Sequence, residues 1–196
     1  MRLPLIALVV VAAAAPSLAA QAGGYRAAPS TRATAEVSLT LSDTAAQRAA
    51  GRPALIRINY GQPHLRGRHI HTDTLVPFGT VWRFGANAAT ILTTDVDLSI
   101  GGRAVPRGRY VMQALPTEAG WTVILQIEST GNETVMLMTY DAAKDFVRIP
   151  LASSALASPV ESLLIALVPS TAPGAPRGEL HVMWDRVLLK TDWVVR

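Results

Sequence analysis

Trp82, Arg83, Asn87 and Thr90 stand within nine positions of one another and carry four different ways of holding a ligand. They offer a large ring, a rigid cationic fork, an amide and a hydroxyl. Arg83 suits a carboxylate, a phosphate or an acidic sugar. Trp82 suits a sugar ring or a base. Asn87 and Thr90 suit hydroxyls, and Arg68 adds a supporting charge. A structural role competes for each of them. A tryptophan in a β protein is usually core, and a nearby arginine and asparagine often tie loop carbonyls that would otherwise go unpaired.

A second group is metal-like. His64, His69 and His71 are three of the four histidines. On an extended segment His69, His71 and Asp73 would point to one side, which presents two imidazoles and a carboxylate to one Zn or Cu ion. Solvated loop histidines are the competing reading. The signals for nucleophilic catalysis are absent: there is no cysteine and no Gly-x-Ser-x-Gly elbow. Asp95 and Asp97 share a strand face beside a turn, where an acidic pair usually meets solvent. No phosphate loop or dinucleotide fingerprint follows a strand. The sequence therefore assigns no catalytic residue, no metal site and no cofactor.

The elements that must position these groups read as strands. Ala35, Val37, Leu39 and Leu41 alternate with polar residues, and so do Ala54, Ile56, Ile58 and Tyr60. Between them, 43–52 is Ala-rich and reads as a helical turn capped by Asp43 or Thr44, or as a solvated loop. Short strands are predicted over 89–94, 96–100, 110–115, 121–127, 134–140, 146–151, 160–168, 180–184 and 187–195. Gly101-Gly102 is a hairpin turn, and turns follow at 106–108 and 117–120. From Gly61 to Gly85 no strand pattern holds. A connection that long in a compact domain is often functional. The spacing of strands and turns predicts an all-β fold, a single antiparallel β-sandwich of nine to ten short strands.

Composition limits the partners. The chain has 196 residues, 18 lysines and arginines against 14 acidic residues, and a formal charge of +4. The excess is small, with no basic block and no basic helix interleaved with aromatics, so nucleic acid is not an expected partner. Met1 to Ala22 has the plan of a secretory signal: Arg2, an apolar run from Leu3 to Ala15, Pro16, then small residues. That run is shorter than the ~20 residues of a spanning helix, so no membrane span is expected after cleavage. The expected organisation is a signal peptide over 1–20, a flexible leader over 21–34 and one domain over 35–196. The expected location is periplasmic or secreted.

The order of motifs adds a family. Tyr60-Gly-Gln-Pro63, Arg66-Gly-Arg68, Leu75-Val-Pro-Phe-Gly79, Val81-Trp-Arg83, Gly85-Ala-Asn87 and Thr90 resemble the DUF2911 proteins, as do Ile100-Gly-Gly102, Pro106-x-Gly108-x-Tyr110, Trp121-Thr-Val-Ile124 and a late strand ending in Trp184. The resemblance implies an exported, compact all-β bacterial protein and brings no activity with it. The chain departs from the family pattern in three places. Ala88 stands where the family usually has Glu, His71 where an aromatic is common, and 44–51 looks inserted.

These readings converge on a periplasmic or extracellular module that binds a small polar or anionic ligand without catalysis, through Arg68, Trp82, Arg83, Asn87 and Thr90. The alternatives are a metal-assisted hydrolase using His69, His71 and Asp73, and a structural envelope protein with an exposed strand edge.

Overall fold

A computed structural model describes residues 28–131 and 140–196. The expected signal peptide, half of the expected leader and most of the strand expected over 134–140 lie outside those residues. The described chain forms nine strands: β1 Thr31–Leu39, β2 Ala54–Gln62, β3 Thr90–Thr94, β4 Leu98–Ile100, β5 Arg103–Val105, β6 Gly108–Thr117, β7 Gly120–Ile127, β8 Asp145–Pro169 and β9 Arg177–Val195. They join in one antiparallel sheet in the order β1-β2-β3-β6-β7-β8-β9-β4-β5. The all-β expectation is met. β1 begins four residues earlier than the alternation suggested, because Thr31 to Thr34 continue the ladder against Gln62 to Asn59.

The last two strands make one sheet behave as two layers. At ~3.3 Å per residue a straight strand as long as β8 would run about 80 Å, far beyond a domain of this size. It bends instead. Residues 145–151 pair with β7 and residues 152–169 with β9, and the register slips between Ala155 and Val160 and again between Val160 and Leu164. Bulges of this kind bend and twist a strand. The bend folds the β8–β9–β4–β5 end over the β1–β7 end. One core then takes Ile56, Ile58, Leu92, Met112, Val123 and Leu125 from one layer and Leu98, Leu180, Val182, Leu189 and Trp193 from the other. A void of about 20 Å³ lies among Ile56, Leu98, Met112 and Trp193. That is far below the ~300 Å³ at which small-molecule sites begin, so a ligand of that size must bind outside the core.

The Ala-rich segment is a helix, α1 Thr44–Ala50, whose first turn is capped by the Asp43 carboxylate accepting from the Ala45 and Ala46 amides at 2.8 and 3.2 Å. Left-handed Gly51 ends it, and none of its side chains is buried. Among the described residues, no helix is long and apolar enough to cross a membrane.

One buried carboxylate gives the fold an acid limit. Glu128 accepts hydrogen bonds from the Thr130 hydroxyl and amide, the Gly131 amide and Arg109 Nε. The Thr130 hydroxyl contributes most. Against the opposing effect of burial, these donors hold the Glu128 carboxyl down at about 2. A carboxylate depressed on folding adds stability that is complete above its unfolded value near 4.5 and is lost as pH falls towards 2. Thermal unfolding followed across pH 5 to 2 should therefore show a steeper acid decline in the native chain than in Glu128→Gln. Equal slopes would mean the carboxylate adds no acid-labile stability.

Candidate functional site

The candidate site is the connection from Pro63 to Ala89, between β2 and β3. It is irregular but fastened at both ends. At its start, the Leu65 amide donates to Glu161 at 2.8 Å, and the Pro63 carbonyl accepts from the Leu163 amide at 3.0 Å, both on β8. At its end, Trp82 and Ala114 exchange two backbone bonds at 2.7 and 2.8 Å, and the Gly79 amide donates to Pro116 at 2.8 Å. Residues 79–82 thus continue the ladder on β6 beyond the end of β3, and the chain then loops out before rejoining the sheet at Thr90.

The residues read as ligand contacts divide into two kinds. Thr90 is fully buried and its hydroxyl donates to the Phe84 carbonyl at 2.7 Å. Trp82 stacks on Trp184 at 5.6 Å and meets Trp121 and Phe84 edge-on. Thr90 closes the loop and Trp82, half-buried, packs against the core. Arg83 and Asn87 are exposed, and Arg83 makes one long bond of 3.3 Å to the Asn87 carbonyl. Arg68 is exposed too, but Nε and one Nη are spent on the Leu65 and His64 carbonyls at 2.9 and 3.0 Å. Ala88, where a Glu is usual in the family, is buried.

The three candidate metal ligands do not share a side. The same-side argument needed extended backbone throughout, and His71 has φ 63°, a left-handed conformation. His69 is turned out to solvent, His71 is turned inwards, and Asp73 sits exposed in the turn from Thr72 to Leu75. His64 is occupied elsewhere, with Nδ1 2.7 Å from the Ser162 hydroxyl. Among the described residues no three histidine, aspartate or glutamate side chains gather as a metal set.

The structure adds Asp185, which the sequence reading missed. It lies 116 residues from His69, on β9, where the register slips opposite Val160. Its side chain is only 8% exposed. Oδ2 accepts from the Ile70 amide at 3.2 Å and lies 3.0 Å from His69 Nδ1. The His69 side chain is 76% exposed. With Nδ1 engaged, its remaining nitrogen, Nε2, is the one offered to solvent. A carboxylate that fixes one imidazole nitrogen in this way orients the other for proton acceptance or ligation. Beside it, His71 stacks on Phe78 at 4.1 Å and meets Trp121 edge-on. Burial pushes the His71 imidazole below its ordinary range, opposed by the Val76 backbone and the Asp185 charge.

Strain and unmet polar groups collect here. The non-glycine residues with left-handed φ are Arg66, His71, Val76, Phe84, Asn87 and Asp185. The first five lie in the connection and the sixth holds it. Val76 is β-branched and Phe84 is bulky, the types that tolerate this conformation least. Asp185 Oδ1 and His71 Nδ1 are both buried without a hydrogen-bond partner among the described residues. Each such residue costs of order 1–3 kcal/mol, and such costs cluster at functional sites. A break in periodicity hinted at Asp185: Leu180, Val182 and Trp184 share one parity, while Val187 and Leu189 share the other. One residue must be absorbed between them, which is a bulge.

No curated protein and no solved structure matches the chain. A family model does, over residues 42–192, which takes in the fastened connection, Trp82, Trp121 and Trp184, and Asp185. The chain belongs to the family described as protein of unknown function (DUF2911).

Proposed function

We propose that this protein is an exported, non-catalytic module that binds a small polar or anionic ligand on the outer surface of the 63–89 connection. The observation that carries the reading is the convergence of strained backbone on this one segment and on Asp185, joined there by two of the four buried, unpartnered polar atoms among the described residues, His71 Nδ1 and Asp185 Oδ1. Arg83 and Asn87 are the exposed groups for an anion or a hydroxyl, and Arg68 adds charge. His69, held by Asp185, offers a directed hydrogen-bonding nitrogen. That fixed imidazole also favours a second reading, a hydrolase in which His69 accepts a proton or ligates a metal. The partner residue there is Asp185 in place of Asp73.

One experiment separates the two. The chain from Gln21 onward is melted with citrate, inorganic phosphate, glucose and zinc. A ligand at a hundred times its Kd adds about 2.7 kcal/mol. At ~2–4 °C per kcal/mol for a chain of this size, that is a rise of roughly 5–11 °C. The expected result is a concentration-dependent rise with citrate or phosphate that both Arg83→Ala and His69→Ala diminish. A rise with zinc alone, lost in His69→Ala and kept in Arg83→Ala, favours the hydrolase. A rise that both variants keep places the ligand off this connection and overturns the proposal.

A further inference from the structure

The outward face of the β1–β2–β3–β6 sheet carries a second polar arrangement, on the opposite side of those strands from the core. Strand register places Glu36 opposite Arg57, Arg57 opposite Thr93 and Thr93 opposite Arg109. The Arg109 carbonyl accepts from the Glu128 amide, which extends the row one strand further. Read across the sheet, the row is acidic, basic, hydroxyl, basic, acidic. The two arginines stand two strand spacings apart, roughly 10 Å, with Thr93 between them.

Both arginines are held from their outer sides. Arg57 Nε donates to Glu36 at 2.5 Å and Arg109 Nε donates to Glu128 at 3.0 Å. A carboxylate at Nε fixes the plane of a guanidinium, which is how a forked donor is preorganised for an oxyanion. In the next rows Arg32 donates to Asn59 Oδ1 and to the Ala88 and Ala89 carbonyls, and Asn59 donates to the Thr34 hydroxyl at 2.9 Å. Three arginines and one glutamate line an open hollow of about 490 Å³ here, floored by Ile91. That is the size of a small-molecule site. The buried outward-facing cluster of Ala89, Ile91 and Val111 gives the floor its apolar character.

We propose that this hollow is an oxyanion-binding site, taking a ligand with a carboxylate or phosphate group between Arg57 and Arg109 over the Thr93 hydroxyl. It is separate from the site on the 63–89 connection. Arg57 is the residue to test, since it is exposed and its ion pair among the described residues is with the partly exposed Glu36, whereas removing Arg109 would take a cation from buried Glu128.

Calorimetric titration of the chain from Gln21 with glucuronate, inorganic phosphate and neutral glucose tests the proposal. Glucuronate or phosphate should bind, glucose should not, and affinity should fall as salt rises. Arg57→Ala should weaken binding at least tenfold, and Arg57→Lys should recover part of it. The citrate-induced rise in melting temperature that depends on His69 should persist in Arg57→Ala, which separates this site from the one on the connection. An exposed ion pair adds little stability, so Arg57→Ala should melt within a few degrees of the native chain. Binding of glucuronate alone identifies a sugar acid, and binding of phosphate alone a free oxyanion. Equal affinity in Arg57→Ala, equal affinity for glucose, or no binding of either anion at millimolar concentration would overturn it.

Discussion

Gly61→Ala is expected to lower stability by about 3 kcal/mol or more, a loss in the upper range for added volume in a packed site. An added Cβ would lie 1.8 Å from the Ala86 carbonyl oxygen and 2.7 Å from its carbon. The obstacle is backbone, so no rotamer change relieves it. Nor can the two segments drift apart cheaply. The Ala86 amide donates to the Gly61 carbonyl at 3.1 Å, and Gly61 pairs with Arg32 in the β1–β2 ladder. Gly85 repeats the demand, since a Cβ there would lie 2.7 Å from Thr90 Oγ1 and 2.9 Å from the Gly61 carbonyl oxygen. At ~2–4 °C per kcal/mol, the melting temperature should fall by roughly 6–12 °C. A fall of under 2 °C would mean that the connection does not seat on β2 as described. The same clasp gives Gly61, Gly85 and Thr90 a structural role.

Trp82→Ala should cost about 3 kcal/mol, at the lower end for a tryptophan because the side chain is half-buried. The loss removes a stack on Trp184 and two edge contacts, and opens a gap lined by Ile70, Trp121, Leu163 and Leu189. Trp82→Phe keeps an aromatic ring there and should cost much less. Urea unfolding of both variants gives the comparison. A ligand-binding role without a structural one predicts the reverse: an Ala variant as stable as the native chain, with its affinity gone. That outcome would return Trp82 to the list of ligand contacts.

The strands were legible because apolar residues alternate where one face is buried, as in β1, β2 and β7. The hairpin between β4 and β5 was legible from Gly101-Gly102, both with positive φ. Length was not legible. β8 and β9 each read as two strands, because bulges interrupt the alternation and a bulged strand looks like a strand, a turn and another strand. The density of special residues marked the segment where left-handed backbone collects, but the direction of each side chain depends on local backbone. One left-handed residue, His71, undid a same-side argument that was sound for extended chain. Thr90 was read as a hydroxyl for a ligand, and the Phe84 carbonyl that it satisfies is visible only once the loop has closed. Asp185 belongs to the site only through tertiary contact, which no local pattern reports.

β4 closes the sheet against the far end of the chain, with Leu98 opposite Val195 and Ile100 opposite Trp193. β9 is also the described strand with which β8 pairs beyond Leu151. A growing polypeptide can assemble β1, β2, β3, β6 and β7 as each hairpin or neighbour appears. It cannot cover their inner face until residues near 195 have been synthesised and Trp193 has docked. Contacts so distant along the chain are slow to form, because loop closure precedes any reward. Completion of the core is thereby deferred until β9 has docked, and the apolar strands made first must wait uncovered, a period in which a holding chaperone has most to offer.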